Sequence, residues 1–232
     1  MLKRKIDHNH WLHLWKFDSS DTSIDLDLAL LNFSEEEISR AKNFIHDPDR
    51  ERYVKAHYFL RKVLSKYLKI NARDIKFSRG INGKPFINNT LFFNLSYRDT
   101  FFLLGISNCS KMGVDIEKIK SIEDIPLFCE NYFALKEREI ITAENNKLNQ
   151  LSLLFTLWTM KESVIKALGS GFLHPLTNYD LNSFLYQNAS APNFDPENSW
   201  TIQMINVKQG FKAAFAIQTS QVNIDIFEYE DY

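Results

Sequence analysis

The stretch LSLLFTLWTMKESVIKALGSG, residues 151–171, leaves this chain the least freedom. At about 100° per residue it reads as a helix whose apolar arc collects Leu151, Leu154, Phe155, Trp158, Ile165 and Leu168. Lys161 and Glu162 fall inside that arc, and Lys166 sits on its rim. Burying a charge is costly unless a partner, a hydrogen-bond network or a metal compensates. Two solutions are open: both side chains snorkel past the edge of an ordinary core helix, or the helix lines a polar cleft.

A second stretch bears on that choice. MGVDIEKI, residues 112–119, reads as a strand with Val114 and Ile116 on one face and Asp115 and Glu117 on the other. The repulsion of two adjacent carboxylates is relieved by a hard cation, and Mg²⁺ suits one or two carboxylates plus substrate phosphates. A polar strand face turned to water explains the same pattern.

The rest of the chain surrounds these two pieces. HWLHLWKF (10–17) reads as an N-terminal strand. Ser34 and Glu37 make a capping box for a helix beginning near Glu35 and carrying Arg40 and Lys42. A longer helix from about Asp49 to Leu68 is basic through Arg50, Arg52, Lys55, Arg61 and Lys62, charges that ordinarily form a solvated face. DIKFSRGINGKPFI gives two strands around Asn82-Gly83, and LFFNLSYRDTFFLLGIS a hairpin turning near Arg98-Asp99. Short helices around Pro126–Tyr132 and Leu135–Thr142 lead into the 151–171 helix. After it, FLHPLTNYDLNSF predicts a loop and a strand, and SWTIQMINV with FKAAFAIQT a final antiparallel pair. A helix followed by strands thus occurs twice, Tyr53–Ser107 and Leu151–Thr219, which predicts two similar halves joined near Lys111 with a ligand cleft between them.

With 28 Lys and Arg against 29 Asp and Glu, the net charge of −1 provides no global field for nucleic acid or an anionic membrane. An anion site must be a local cluster. The basic start MLKRK leads into IDHNHWLHLW rather than an apolar signal core, and no run approaches the roughly 20 apolar residues of a membrane span. The reading is a cytoplasmic protein. Cys109 and Cys129 form no CxxC pair and are too few for a disulfide scaffold. His8, His10 and His13 lack the further ligands that would complete a metal site.

Four pieces now stand in order: GKP (83–85), FNLS (93–96), GVDIE (113–117) and WTMKESVIKALGSG (158–171). Their types, order and spacing resemble the surfactin-synthetase type of 4′-phosphopantetheinyl transferase, from about Ser34 to Phe215. That resemblance implies transfer of the phosphopantetheine arm of coenzyme A to a serine of an acyl, peptidyl or aryl carrier protein, leaving adenosine 3′,5′-bisphosphate. It implies Mg²⁺ and an α+β fold acting as a monomer, with two similar, pseudo-twofold-related halves, each a small antiparallel sheet packed with a long helix. Residues 1–111 would bind coenzyme A and residues 112–232 would carry the metal. Asp115 and Glu117 look like metal ligands from the strand and Glu162 like the third from the helix. Lys166 resembles the lysine beside the reacting phosphate, and Lys161 the one that braces the site. YFALKE (132–137) resembles the family F-F-x-x-x-E, which makes Glu137 the candidate base for the carrier serine. Arg52 resembles an arginine that grips coenzyme A, Arg40 matches a basic position at its 3′-phosphate, and Lys84, Pro85, Ser96 and Tyr97 line the same pocket.

Two departures stand out. Tyr97 follows Ser96 where many relatives have histidine, and Glu37 stands where they have a lysine. Histidine can ion-pair a phosphate, whereas tyrosine donates one hydrogen bond. The 3′-phosphate is then held less tightly, or by another base such as Arg98 or Lys42. Two other readings use the same residues. A Mg²⁺-dependent nuclease or phosphohydrolase would want further acidic ligands for a second metal. A non-catalytic coenzyme A or carrier-binding module would not need Asp115, Glu117, Glu162 and Lys166 all intact. Nothing in the sequence marks the carrier as one of fatty-acid, polyketide or nonribosomal-peptide synthesis.

Overall fold

Two helices of 22 residues each, and the strands they cover, organise the chain. The computed structural model describes residues 10–21, 24–80, 82–87, 91–109, 111–169, 171, 175–186 and 195–229; the basic start and His8 lie outside these. Among the described residues the strands are β1 (Trp11–Asp18), β2 (Ser78–Arg79), β3 (Pro85–Phe86), β4 (Phe92–Arg98), β5 (Phe101–Ser107), β6 (Met112–Lys118), β7 (Thr201–Ile205), β8 (Phe211–Ile217) and β9 (Asn223–Glu228). The helices are α1 (Leu26–Leu30), α2 (Glu35–Lys42), α3 (Asp47–Leu68), α4 (Ile125–Tyr132), α5 (Leu135–Ala143) and α6 (Lys147–Leu168). None of the described helices is long and apolar enough to cross a membrane.

The sheets run β4-β5-β1-β9 and β6-β8-β7, with β2-β3 as a separate pair. Strand alternation decides how they stack. Leu12 and Leu14 of β1, Phe101 and Leu103 of β5, Val114 and Ile116 of β6, and Phe215 and Ile217 of β8 meet between the two sheets. The opposite face of the first sheet packs on α3 through Phe59, Leu60, Val63 and Leu64 against Phe93, Phe102 and Leu104. The opposite face of the second packs on α6 through Leu154, Leu157, Met160 and Val164 against Ala214, Ala216 and Ile202. The result is an α+β architecture of four layers, helix, sheet, sheet, helix. Each helix ends on a left-handed residue, Lys69 (φ 55) after α3 and Gly169 (φ 66) after α6.

The structure departs from the sequence reading in three places. The strand expected in FLHPLTNYDLNSF is absent from the described residues 175–186, which form 3₁₀ turns at Leu176–Asn178 and Asn182–Tyr186. Phe172 to His174 lie outside the described residues. Pro48 lies inside the first turn of α3 instead of ahead of it, where its missing N–H costs nothing. Third, β9 joins the first sheet, parallel to β1 with Phe227 beside Trp15, so one strand from beyond residue 112 completes the sheet of the other half. Aromatic packing holds it there: Phe227 stacks on Trp15 with centroids 4.6 Å apart, and Tyr229 meets Phe17 and Phe59 edge-on at 5.4 and 5.1 Å.

The basic face expected of α3 is partly interior. Arg61 is fully buried, with Nε and Nη2 donating to Glu37 Oε2 at 2.9 and 2.5 Å and Nη1 to the carbonyls of Ala72 and Ile75 at 2.5 and 3.2 Å. Glu37 also closes the expected capping box, accepting from the Ser34 N–H at 3.0 Å, while its Oε1 meets His57 Nδ1 at 2.7 Å. Glu37 is therefore turned into the core, tying α2 to α3. Burial alone would raise its carboxyl, but hydrogen bonds from His57, Arg61 and Ser34 and the Arg61 charge outweigh it and hold the group at about 2.

Two predictions follow from this packing. Gly113 of β6 lies under α6 so closely that a Cβ there would sit 2.2 Å from the Ser163 carbonyl oxygen and 2.4 Å from the Ala167 nitrogen. Both are backbone atoms, so the helix itself must shift, and Gly113→Ala is expected to cost about 3 kcal/mol or more in urea unfolding. A cost within about 0.5 kcal/mol would show that α6 yields without strain. Glu37 has a folded-state carboxyl depressed to about 2 from an ordinary 4.5, so its contribution is present above about pH 4.5 and lost as the pH falls toward 2. Between pH 6 and pH 2.5, wild-type protein is expected to lose about 2 kcal/mol more unfolding free energy than Glu37→Gln. Parallel pH profiles for the two proteins would contradict this.

Candidate active site

The face of β6 that does not enter the inter-sheet core carries Gly113, Asp115 and Glu117, and it lies against α6. Small partners allow the approach: Gly113 pairs with Ala216 and Asp115 with Ala214 of β8. Glu162 and Lys166, one turn apart on α6, come down on this face. Lys166 Nζ donates to Asp115 Oδ1 at 2.6 Å and to Ser96 Oγ at 2.8 Å, and the Ser96 hydroxyl donates to the same Asp115 oxygen at 3.0 Å. Arg98, at the end of β4, donates to Glu117 Oε1 at 2.7 Å. The sequence-predicted Asp115, Glu117, Glu162, Lys166 and Ser96 are thus one cluster, with Arg98 as an added member.

β4 holds this cluster in place without pairing to β6 as a strand. Asn94 Oδ1 accepts the Val114 N–H at 2.9 Å and Ser96 Oγ accepts the Ile116 N–H at 3.3 Å. Asn94 and Ser96 lie two residues apart on one face of β4, the spacing of the amides they satisfy. The FNLS pattern carried that signal, yet the sequence reading placed Ser96 in the nucleotide pocket. The structure places it on Asp115.

Three carboxylates, Asp115, Glu117 and Glu162, share the charges of Lys166 and Arg98. Asp115 is 3% exposed. Burial first, then the neighbouring Asp115, push the Glu162 carboxyl up to about 7 against the pull of Lys166. Two oxygens, Asp115 Oδ2 and Glu162 Oε1, are buried with no hydrogen-bond partner. Such orphaned acceptors are costly, and open carboxylate oxygens suit a hard divalent cation. As the side chains stand, no three His, Cys, Asp or Glu groups among the described residues converge on one metal-sized point, since Asp115 is drawn to Lys166 and Glu117 to Arg98.

A second cluster lies toward α2 and α3. Arg40 sits over the ring of Tyr53 at 5.5 Å. Burial pushes the Tyr97 phenol up, while the charges of Arg40 and Arg52 pull the other way, which sets all three within electrostatic reach. Arg52 pairs with Asp49 at 3.0 Å and lines a pocket of about 280 Å³ that reaches Asp99, next to Arg98. Lys84 is placed differently from the expectation. Its ammonium donates to the carbonyls of Met112 and Ala167 at 2.8 and 3.3 Å, and burial lowers it to about 8. It ties the end of α6 to the start of β6. Pro85 lies beside it in β3.

Glu137 and Lys161 belong to neither cluster. Both are fully buried and paired at 2.6 Å. Glu137 accepts the Ala134 and Leu181 N–H groups at 2.8 Å each, and Lys161 donates to the carbonyls of Leu176, at 3.0 Å, and Tyr179. Burial pushes the Glu137 carboxyl up and the Lys161 ammonium down, each against the attraction of its partner. The two neighbours that share one apolar arc in the helical reading point apart, Glu162 to β6 and Lys161 to the 3₁₀ turns, because successive helical residues diverge by about 100°.

The chain is similar to known proteins. Residues 111–218 match the family model of the 4′-phosphopantetheinyl transferase superfamily, and residues 16–108 match that of the 4′-phosphopantetheinyl transferase N-terminal region. The chain is similar to the 4′-phosphopantetheinyl transferase gsp of Aneurinibacillus migulanus, 34% identical over 161 residues covering 67% of this chain and 66% of the relative. It is 30% identical over 190 residues to the 4′-phosphopantetheinyl transferase ffp of Bacillus subtilis, covering 80% of this chain and 82% of the relative. The 4′-phosphopantetheinyl transferase HetI of Nostoc sp. is 27% identical over 165 residues, 69% of each chain. The two family matches meet between β5 and β6, and this chain belongs to the 4′-phosphopantetheinyl transferase superfamily.

Proposed function

We propose that the protein transfers the 4′-phosphopantetheine arm of coenzyme A to a serine of an apo acyl or peptidyl carrier protein, releasing adenosine 3′,5′-bisphosphate, with one Mg²⁺ among Asp115, Glu117 and Glu162. One observation carries this reading: two buried carboxylate oxygens without partners, Asp115 Oδ2 and Glu162 Oε1, beside a lysine at 2.6 Å from Asp115. Asp115, Glu117 and Glu162 would hold the cation, which would neutralise pyrophosphate oxygens of coenzyme A.

The chain's own groups supply the rest. Phosphoryl transfer asks mainly for positioning and charge neutralisation. Arg40 and Arg52 hold the nucleotide end by charge, with Tyr97 between them donating one hydrogen bond. Lys166, held by Asp115 and Ser96, meets the charge that develops on the leaving phosphate. The carrier serine oxygen forms the new bond to the pantetheine-side phosphorus, and the bond from that phosphorus to the bridging oxygen breaks. The bridging oxygen leaves with its electron pair on adenosine 3′,5′-bisphosphate, and the serine proton passes to solvent. No nucleophilic side chain of this protein takes part.

Glu137 and Lys161 are assigned here to the framework. A base must come within hydrogen-bond reach of the proton it takes, and both Glu137 oxygens are already engaged inside the protein. Their hydrogen bonds pin the segment 176–181 against α5 and α6.

Incubation with coenzyme A, Mg²⁺ and an apo carrier, read as a mass gain on the carrier, tests the activity. Asp115→Asn and Glu162→Gln are each expected to leave less than about a tenth of wild-type turnover, a loss of more than about 1.4 kcal/mol, with circular dichroism unchanged. Either variant working at near wild-type rate would remove the carboxylate from the metal set. Glu137→Gln leaves Lys161 buried without its counter-charge, so it is expected to cost about 3–5 kcal/mol of stability. The folded fraction should still transfer within about threefold of wild type in single turnover, since no interaction confined to the transition state is lost. A drop of roughly 10² to 10⁴ with stability unchanged would return Glu137 to the role of general base.

A further inference from the structure

Arg98 and Asp99 stand at the tip of the β4–β5 hairpin, where Asp99 takes φ 52, and both reach across to β6. Arg98 Nη2 donates to Glu117 Oε1 at 2.7 Å and Lys118 Nζ donates to Asp99 Oδ2 at 2.6 Å. The two pairs differ in their surroundings. Lys118 and Asp99 are 55% and 40% exposed, a pair that water screens. Arg98 is 48% exposed but Glu117 only 13%, so a carboxylate largely withdrawn from water takes its counter-charge from an arginine that reaches solvent.

This sets Glu117 apart from the other two carboxylates. Asp115 keeps one oxygen open while Lys166 and Ser96 take the other, and Glu162 also has an open buried oxygen. Those two can receive a cation with no ion pair broken. At Glu117 a cation meets the Arg98 guanidinium, which already holds Oε1 at 2.7 Å, and two like charges within about 4 Å repel.

We propose that Arg98 is a positioning residue that competes with the divalent cation for Glu117, so that Arg98 weakens metal binding. The proposal rests on the metal reading given above.

Mn²⁺ titration of the full chain without coenzyme A, followed by loss of the free-ion paramagnetic resonance signal, tests it in wild type, Arg98→Gln, Glu117→Gln and the double variant. Arg98→Gln is expected to bind Mn²⁺ about three- to tenfold more tightly than wild type. The double variant is expected to match Glu117→Gln, because the competition passes through Glu117. An unchanged or weaker affinity in Arg98→Gln overturns the proposal. So does a gain that persists in the Glu117→Gln background, which would make Arg98 a general source of positive charge. If Glu117→Gln takes up no Mn²⁺, the single Arg98→Gln result decides. Wild-type protein that takes up no Mn²⁺ would fail the metal reading itself, whereas uptake by wild type with no gain in Arg98→Gln fails the competition alone.

Discussion

The backbone contact between α6 and β6 is the constraint on which the site depends. Gly113 lets the helix settle where a side chain would strike the Ser163 carbonyl, and Ala214 and Ala216 of β8 keep the same surface low. Only at this separation do the short carboxylates of β6 meet the side chains that descend from α6. The Lys166–Asp115 contact of 2.6 Å follows from that approach. Strand alternation does the complementary work, sending Val114 and Ile116 into the inter-sheet core and leaving Asp115 and Glu117 for the helix. One period-two strand and one 3.6-period helix thereby converge on a single group of charges.

Polar hooks from the first half secure that contact at both ends. Asn94 and Ser96 satisfy two β6 amides with side chains, an edge that would otherwise present unpaired donors. At the other end, Lys84 binds the Met112 and Ala167 carbonyls and Asn82 donates to the Gly169 carbonyl at 2.9 Å, so the last carbonyls of α6 are capped from outside the helix. A GKP motif and an FNLS motif, distant in sequence from the acidic strand, thus hold that strand and its helix together. β9 adds a crossing in the other direction by completing the first sheet. The arginines near Tyr97 and the carboxylates of β6 are therefore parts of one rigidly connected framework.

Two buried ion pairs share the chain with the site and serve other ends. Arg61–Glu37 and Lys161–Glu137 are each satisfied by further hydrogen bonds, the condition under which a buried charge is tolerated. The first ties α2 to α3, which carry Arg40 and Arg52. The second ties α6 to the 3₁₀ segment beside it. Glu37 has a core arginine as its partner, and nothing about its sequence neighbours reveals that pairing.

Periodicity and motif were enough to determine the two long helices, the capping box at Ser34, the hairpin at Arg98-Asp99, the acidic strand and the cluster of Asp115, Glu117, Glu162 and Lys166, because each depends on residues close in sequence or on a motif of fixed spacing. The tertiary structure alone decided the destination of several other side chains. Lys161 and Glu162 are neighbours that serve different compartments, since a helix turns about 100° per residue and the surroundings on each side come from distant segments. Glu137 caps its own helix and meets Lys161 inside the protein, Lys84 reaches backbone carbonyls, and Ser96 finds Asp115. The strand β9 and its parallel seat beside β1 were likewise beyond sequence patterning, for aromatic contacts such as Phe227 on Trp15 join residues at opposite ends of the chain. Local patterns specify what an element is and which face it offers; only packing specifies which charge meets which partner.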